Sequence, residues 1–534
     1  MLFNSQEFLL VFLPVVFAGF VFLSAQGWHR LAVAWVSVAS LAFYAWWEVR
    51  YLPLLVGSIV FNFLVARRLA ASRNPYELAA GIAVNVLLLG FFKYTTFVVA
   101  NLVDATGLQW SIPHIVLPLA ISFFTFQQIA YLVDAYDGVS VEHDFGNYAL
   151  FISFFPQLIA GPIVHHREML PQYSDPEKFR LQWGSVALGV TLFLFGLLKK
   201  VEIADRFALV ASPVFAAAAQ GEGVSLFDAW GGALAYSLQL YFDFSGYTDM
   251  ALGLGLMFCI RLPQNFNSPF KAAGIIEFWT RWHMTLTRFL TAYVYNPISL
   301  RIARRRAARG RRLPRRGRMS PGAWFALVAF PTLVTMFISG VWHGAGWQFI
   351  VFGMLHGVYI CINHAWRELR LRFGLGGTSP LRRAASVLLT FLCVVVSFVF
   401  FRAADVPAAL NLLAGMVGVS GPEAAAQVAP GTLRGALAEW GIVVAPLSFV
   451  TREHLVWIAL MLVATWILPN AQQWLGRFPT ALQARPDPSL LQRLAPVLVW
   501  RPSIATGARV GIGAAYLVLR AVSNAPTEFL YFQF

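Results

Sequence analysis

The segment from Met319 to Trp366 contains no Asp, Glu, Lys or Arg. Because one transmembrane helix needs about 20 apolar residues, this segment predicts two membrane spans. The tripeptide Trp342-His343-Gly344 lies near its middle, and neighbouring glycines at 340 and 346 predict a helix break there. An ionisable side chain inside a membrane is costly and marks a candidate functional site. We therefore predict that His343 is a reactive residue at a helix break within the membrane.

Charge-free runs of this kind recur along the whole chain. The protein has 534 residues, of which 58% are hydrophobic and 12% are charged, whereas a soluble protein carries about 25% charged residues. The runs predict about 11 spans, with shorter re-entrant or interfacial segments between them. This pattern predicts an all-α polytopic membrane protein forming a single domain over 1–534, with its C-terminal helices at 401–534. It excludes a soluble nucleic-acid-binding module.

The charges between the runs predict the topology. Residues 1–7 lack the positive charges of a signal peptide, so the first apolar run is interpreted as a retained span. Arg30 follows the first run, and Arg67 and Arg68 follow the third. Because cytoplasmic loops are enriched in Lys and Arg, the N-terminus is expected outside, in a bacterial inner membrane.

Ten arginines and no acidic residue lie between Arg301 and Arg318. The positive-inside rule places this loop, 301–318, in the cytoplasm. A docking patch for acidic partners, nucleic acid or anionic lipid is the alternative.

Two acidic residues of one short motif, 241–249, lie in a long segment that has no Lys or Arg from Phe207 to Ile260. Asp243 and Asp249 are six residues apart, so they point to different faces of a regular helix and cannot form one pair. Each of them is therefore expected to find a separate partner or to be protonated.

The segment 263–269 contains two prolines and predicts a loop, and a helical pattern follows from Glu277 to Arg288. Glu277, Arg281 and Arg288 share one face of that helix, and His283 lies on the other with Trp279. Two interpretations stay open. Either this is an interfacial helix whose histidine packs against tryptophan, or His283 reaches the same cavity as His343.

The remaining histidines and the cysteines show no spacing typical of a metal site, so none is expected. His165 and His166 are adjacent and are interpreted as a loop pair. His356 and His364 are interpreted as structural. The three cysteines form no motif and are expected to be buried packing residues; they are Cys259, Cys361 and Cys393.

Six motifs in this chain resemble those of the membrane-bound O-acyltransferase family, in the bacterial branch with alginate O-acetyltransferases and teichoic-acid D-alanyltransferases. They follow the family's order within about residues 1–400, and the final Phe-Gln-Phe is also similar. The motifs begin at Pro118, Phe155, Tyr241, Pro263, Phe278 and Trp342.

The resemblance implies a ring of helices around a central pore, with His343 as the catalytic histidine and His283 as the second one. Supporting residues in the substrate channel are expected to be Trp342, Asp243, Asn267 and Arg281. Burial favours a neutral imidazole, so His343 is expected to act as a general base. His283 is expected to polarise the thioester carbonyl or orient the acceptor.

The expected reaction moves an acyl group, with acetyl favoured, from a cytoplasmic thioester to a hydroxyl outside. The donor is acetyl-CoA or an acyl carrier protein, and no bound cofactor is expected. The acceptor is an exopolysaccharide or a periplasmic relay protein. Residues 295–300 depart from the alginate enzymes, which argues against alginate itself. The alternative is a transporter or proton relay using the same Asp and His residues without covalent chemistry, although the chain lacks the inverted repeats typical of transporters.

Overall fold

The computed structural model describes most of the chain, and its gaps are at 109, 111–114, 140–141, 160, 312–313, 315–316, 375–376, 378, 420–447, 477, 483–499, 524–528 and 531–534. Three of the ten loop arginines, Arg312, Arg315 and Arg316, lie outside the described residues, as does the final Phe-Gln-Phe. The described residues form helices and contain no β-strand, which confirms the all-α prediction.

Contacts divide the chain into two compact units. The first comprises Met1–Val201, Asp243–Asn265 and Pro469–Phe534, and the second comprises Glu202–Phe242 and Phe266–Leu468. The single-domain organisation stays a prediction.

The first unit contains twelve of the described helices, one of them in part. They are α1 (Leu13–Ala25), α2 (His29–Ala45), α3 (Leu52–Ser72), α4 (Pro75–Thr106), α5 (Ile121–Tyr136), α6 (Phe145–Ser153), α7 (Phe155–Leu158), α8 (His166–Tyr173), α9 (Trp183–Leu198), the part of α11 (Leu226–Met257) from Asp243 onward, α21 (Ala471–Trp474) and α22 (Ile504–Ser523). Glu7–Phe12 and Lys199–Ala204 are π-helical turns, and Val49–Tyr51 is a 3₁₀ turn.

The second unit holds α10 (Asp205–Ala219) and the first part of α11. It continues with α12 (Ile275–Trp279), α13 (Met284–Leu290), α14 (Asn296–Ala308), α15 (Pro321–Trp324), α16 (Phe330–His343), α17 (Trp347–Arg372), α18 (Pro380–Arg402), α19 (Val406–Met416) and α20 (Arg452–Ile467). Thr291–Tyr295 and Phe325–Ala329 are π-helical, and Pro269–Lys271 is a 3₁₀ turn.

Seven helices among the described residues are long and apolar enough to cross a membrane. One of them, Pro321–His343, lies inside the charge-free segment, and another, Trp347–Arg372, begins inside it and continues past Trp366; together they confirm that the segment forms two spans. The predicted total of about 11 spans and the central pore stay predictions. The other five spans are Glu7–Ala25, Val49–Ser72, Pro75–Thr106, Pro380–Arg402 and Ile504–Ser523.

Glycines let α9 and α11 approach closely in the first unit. A Cβ at Gly189 would lie 2.5 Å from the carbonyl oxygen of Gly253. Beyond this contact, Lys199 Nζ lies 2.5 Å from Asp249 Oδ2 and Lys200 Nζ lies 2.7 Å from Asp243 Oδ1. The two acids therefore have separate partners, as their spacing predicted.

The ring of Tyr247 is stacked on both of its faces in the first unit. Phe3 lies 4.5 Å away and Phe529 lies 4.6 Å away between ring centroids. The backbone N–H of Leu530 donates to Asp243 Oδ2 at 3.0 Å. Residues near both ends of the sequence thus pack against the middle of α11.

In the second unit, α16 and α17 form a hairpin that glycines hold together. A Cβ at Gly353 would lie 2.8 Å from Gly340 Cα and would also overlap the carbonyl oxygen of Met336. Small residues at a helix interface in a membrane allow such close backbone packing. This hairpin fixes the position of His343.

We expect Gly353→Ala to destabilise the protein by about 1–3 kcal/mol, because the added methyl group forces the two helices apart. Gly322→Ala is the matched control, since a Cβ at Gly322, in α15, would meet open space. Thermal unfolding in detergent compares the two variants. Equal melting temperatures for Gly353→Ala and wild type would contradict the close packing.

Candidate active site

His343 is the last residue of α16. The helix stops there because Gly344 adopts an extended conformation (φ −166°, ψ 159°), and α17 begins at Trp347. The His343 side chain is 4% exposed. Its ring packs edge-on against Phe352 and Phe401, with centroid distances of 5.7 and 5.2 Å. The predicted helix break at this histidine is confirmed.

His283 occupies a tight turn between α12 and α13. Its backbone is left-handed (φ 44°, ψ 51°) and its side chain is fully buried. Few residues other than glycine adopt this conformation, and such backbone often occurs at functional sites. The prediction of one continuous helix from Glu277 to Arg288 is wrong, because α12 ends at Trp279 and α13 starts at Met284.

The structure brings His283, Trp342 and His343 together. Their ring centroids are 6.5 Å apart for the two histidines, 6.1 Å for His283 and Trp342, and 5.0 Å for Trp342 and His343. Trp342 is 4% exposed. Two imidazoles and an indole therefore form one buried cluster, which agrees with the interpretation that His283 lies beside His343; the tryptophan against which it packs here is Trp342 on α16.

Arg281 and Asn267 hold the loop before the His283 turn. Arg281 Nη1 donates to the Asn267 carbonyl oxygen at 3.1 Å, and Asn267 N donates to the Arg281 carbonyl oxygen at 2.9 Å. Arg281 also pairs with Glu277 at 2.9 Å, and Glu277 Oε2 accepts from the Ala273 backbone N–H. These bonds fix the path of the chain into His283, so both residues have a positioning role here.

His356 is a further buried histidine that connects three helices. Its Nδ1 accepts from Trp279 Nε1 at 3.2 Å, and its Nε2 lies 2.9 Å from Ser397 Oγ. Because an indole N–H only donates, the proton of His356 must be on Nε2. The sequence indicated a structural residue, and the contacts agree, since they tie α17 and α18 to the end of α12, next to His283.

Asp243, the other supporting residue predicted from the sequence, belongs to the first unit. Its ion pair with Lys200 is almost fully buried, with side chains 2% and 3% exposed. A buried ion pair loses solvation that its partner and the surrounding hydrogen bonds must replace. The structure therefore assigns Asp243 a structural partner, and its catalytic role stays a prediction.

We expect Asp243→Asn to lower the free energy of unfolding by about 3–5 kcal/mol, because it removes the carboxylate that pairs with the buried ammonium group of Lys200. The double variant Asp243→Leu/Lys200→Met should recover most of that loss. Unfolding in detergent measures both, and Glu48→Gln in the exposed pair with Arg50 is the control, expected to cost under about 1 kcal/mol. A double variant as unstable as the single one would contradict the pairing.

Asp134, His165 and His166 form the one group among the described residues that has the composition of a metal site, with ligand atoms within 4.8 Å of one another. The interpretation of His165 and His166 as a loop pair is wrong, because His166 begins α8 and His165 caps it. His165 Nδ1 accepts from Arg167 N at 3.3 Å, so its proton sits on Nε2, 3.0 Å from Asp134 Oδ2. A metal-bound Nε2 needs the opposite tautomer. The geometry favours a close pairing of the His165 imidazole with the Asp134 carboxylate.

The cluster of His283, Trp342 and His343 has the chemistry of a proton-transfer site. Burial lowers the pKa of His283, which lies outside the candidate spans, to about 3, so this imidazole is neutral at physiological pH. A neutral imidazole can accept a proton on one nitrogen or donate a hydrogen bond from the other. The imidazole of His343 lies beside that of His283, so the two rings can contact one reacting group together.

Comparison with known proteins gives a consistent result. A model described as the membrane-bound O-acyltransferase family (MBOAT) matches residues 139–310. The chain is 44% identical over 453 residues to a peptidoglycan O-acetyltransferase of Helicobacter pylori, covering 79% of this chain and 80% of that protein. It is 37% identical to a probable alginate O-acetylase of Pseudomonas aeruginosa, covering 78% and 75%. A teichoic acid D-alanyltransferase of Streptococcus thermophilus is 28% identical, covering 53% and 68%.

Proposed function

The chain belongs to the membrane-bound O-acyltransferase family, and on this basis we propose that it moves an acetyl group from a cytoplasmic thioester to a hydroxyl of a cell-envelope glycan. It is a multi-pass membrane protein and an acyltransferase. Family membership therefore decides against the transporter interpretation. The observation that carries the proposal is the buried pair of His283 and His343, with ring centroids 6.5 Å apart.

In the proposed reaction, His343 removes the proton from the acceptor hydroxyl while the hydroxyl oxygen attacks the thioester carbonyl. The carbon–sulfur bond breaks, the proton taken by His343 passes to the leaving sulfur, and the acyl group ends on the acceptor oxygen while the free thiol leaves. The rings of Phe352 and Phe401 pack edge-on against His343, which is 4% exposed. His283 donates a hydrogen bond to the carbonyl oxygen as negative charge develops there. This hydrogen bond is stronger in a site from which water is excluded.

Acetyl-CoA is the proposed donor and is a substrate, not a bound cofactor. Support comes from the relatives, since those above 30% identity are named as O-acetyltransferases or O-acetylases. The D-alanyltransferases are 28% identical over a smaller part of the chain. Because of these relatives, an acyl carrier protein is the second candidate donor.

For the acceptor we favour peptidoglycan over alginate, reached directly or through a periplasmic relay protein. The relative named for peptidoglycan is 44% identical and the one named for alginate is 37% identical. The departure from the alginate enzymes at 295–300 points the same way. Mass spectrometry of the envelope glycans with and without the gene distinguishes the two acceptors.

The decisive experiment incubates membranes with radiolabelled acetyl-CoA and follows the label into glycan or a partner protein. We expect transfer by the wild type and none by His343→Ala. Transfer that requires a charged carrier protein in place of acetyl-CoA would overturn the donor and support the D-alanyl-type reaction. Label in alginate but not in peptidoglycan would overturn the acceptor.

The loop 301–318 is proposed to face the cytoplasm in a bacterial inner membrane, with the N-terminus outside. Because uncompensated arginines resist translocation, a cysteine at Arg309, just after α14, should resist an impermeant thiol reagent in intact cells and react after permeabilisation. The parent carries Cys259, Cys361 and Cys393 as alanine, and the same parent without the new cysteine is the control. Labelling in intact cells would reverse this topology.

A further inference from the structure

A groove of about 770 Å³ runs between α9 and α22 in the first unit. From α9 it is lined by Thr191, Leu194, Phe195 and Leu198, which recur at the spacing of one helix face. We call this space the lateral groove. Its volume lies in the range of cavities that bind small molecules, about 300–1,000 Å³.

The α22 side of the lateral groove is also one helix face, running from Ala505 to Leu517. At a rise of 1.5 Å per residue this face is about 18 Å long. One leaflet of hydrocarbon is about 15 Å deep, half of the bilayer core. The lateral groove is therefore long enough for a lipid acyl chain. It also lies along α22, a candidate membrane span, where such a chain is present.

The two ends of the lateral groove differ in polarity. The end where α22 begins is lined by Arg501, Ser503, Thr506 and Arg509, whereas the remainder of the α22 side carries no charge and is lined by Val510, Gly513, Tyr516 and Leu517. Basic residues near a helix end lie at the membrane surface. The polar end is thus at the level of lipid headgroups and the apolar part is at the level of their chains.

Trp500 adds a hydrogen-bond donor at the polar end. Its side chain is 6% exposed, and its Nε1 is buried with no hydrogen-bond partner among the described residues. An indole N–H in that position normally finds an acceptor. Together with the guanidinium groups of Arg501 and Arg509, it provides donors suited to a phosphate.

We propose that the lateral groove binds one anionic phospholipid, with its phosphate at Arg501, Arg509 and Trp500 and one acyl chain between α9 and α22. The charge of the polar end favours an anionic over a zwitterionic headgroup. The length of the apolar part favours an acyl chain over a free phosphate. The bound lipid fills the space along the face by which α22 packs on α9.

The test adds phosphatidylglycerol to delipidated full-length protein and counts bound lipid by native mass spectrometry. We expect the wild type to hold one lipid tightly per chain. The double variant Arg501→Gln/Arg509→Gln should bind that lipid more weakly, by about tenfold or more. Arg520→Gln, on the same helix but outside the lateral groove, should bind as the wild type does. Phosphatidylcholine should bind more weakly, and inorganic phosphate should not compete.

A second pair of variants tests the chain-binding part without changing charge. Gly513 lines the lateral groove and Gly511 does not, and both have open space where a Cβ would lie. Gly513→Trp should fill the groove and lower lipid binding about tenfold, whereas Gly511→Trp should not. Trp500→Phe should weaken binding by removing the donor alone.

Three results would overturn the proposal. In the first, the wild type retains no lipid. In the second, the groove variants bind phosphatidylglycerol like their controls, which would indicate ordinary boundary lipid only. Competition by inorganic phosphate would indicate a phosphate site without a chain. Acetyl transfer is measured separately, so failure here is distinct from failure of the proposed reaction.

Discussion

His343→Ala should reduce acyl transfer by about 100-fold or more while leaving folding and membrane insertion near wild type. The expected size is that of a lost general base, which contributes about 10²–10⁴ in rate. His343 lies at the end of α16, beside Gly344, so removing its ring leaves the helix hairpin of α16 and α17 in place. Initial rates of acetyl transfer and thermal unfolding of the same preparation give both quantities.

The matched control for this variant is His364→Ala, which removes a half-buried histidine from α17, away from the cluster. It should retain activity close to wild type. Activity of His343→Ala above about 10% of wild type would be inconsistent with the loss expected for a general base. In that case His343 would be a packing residue.

His283→Ala should reduce turnover by about 10²–10³, the loss seen when one donor to a developing oxyanion is removed. Its left-handed backbone complicates this variant, because alanine is strained at a φ of 44°. His283→Asn separates the two effects, since asparagine tolerates this conformation but lacks an imidazole. We expect it to be nearly as stable as wild type and as slow as the alanine variant.

Two outcomes would assign His283 to another role. Full activity in His283→Asn would mean that the imidazole is not needed for catalysis. A fully active but unstable His283→Ala would mean that the side chain serves packing alone. Activity should be followed with unfolding measured in parallel, so that loss of protein is not mistaken for loss of rate.

The helix break at His343 was predictable from local sequence. A charge-free segment long enough for two spans, with glycines at its middle, fixes where the chain must turn, and the structure has Gly344 extended at that point. The separate partners of Asp243 and Asp249 followed from their spacing on one helix. Both features depend on residues that are close along the chain.

The turn at His283 was not predictable in this way. The apolar periodicity from Glu277 to Arg288 is helical both before and after the break, so a break of a few residues cannot be recognised from it. What sustains the break is long-range, because Arg281 bonds to Asn267 and Trp279 bonds to His356 on α17. Periodicity contains no information on partners that are distant in sequence. The one signal available in the sequence was His283, a histidine on the uncharged face of the predicted helix.

The stacking of Phe3, Tyr247 and Phe529 has a consequence for biosynthesis. A ribosome delivers Phe3 before the second unit, Tyr247 between its two segments and Phe529 after it. Tyr247 therefore has no second stacking partner until the whole second unit has been translated. Contacts of such long sequence separation slow the final step of folding. Chains that stall after residue 468 should expose the aromatic face of Tyr247 and become substrates for membrane quality-control proteases, even though the second unit is already synthesised.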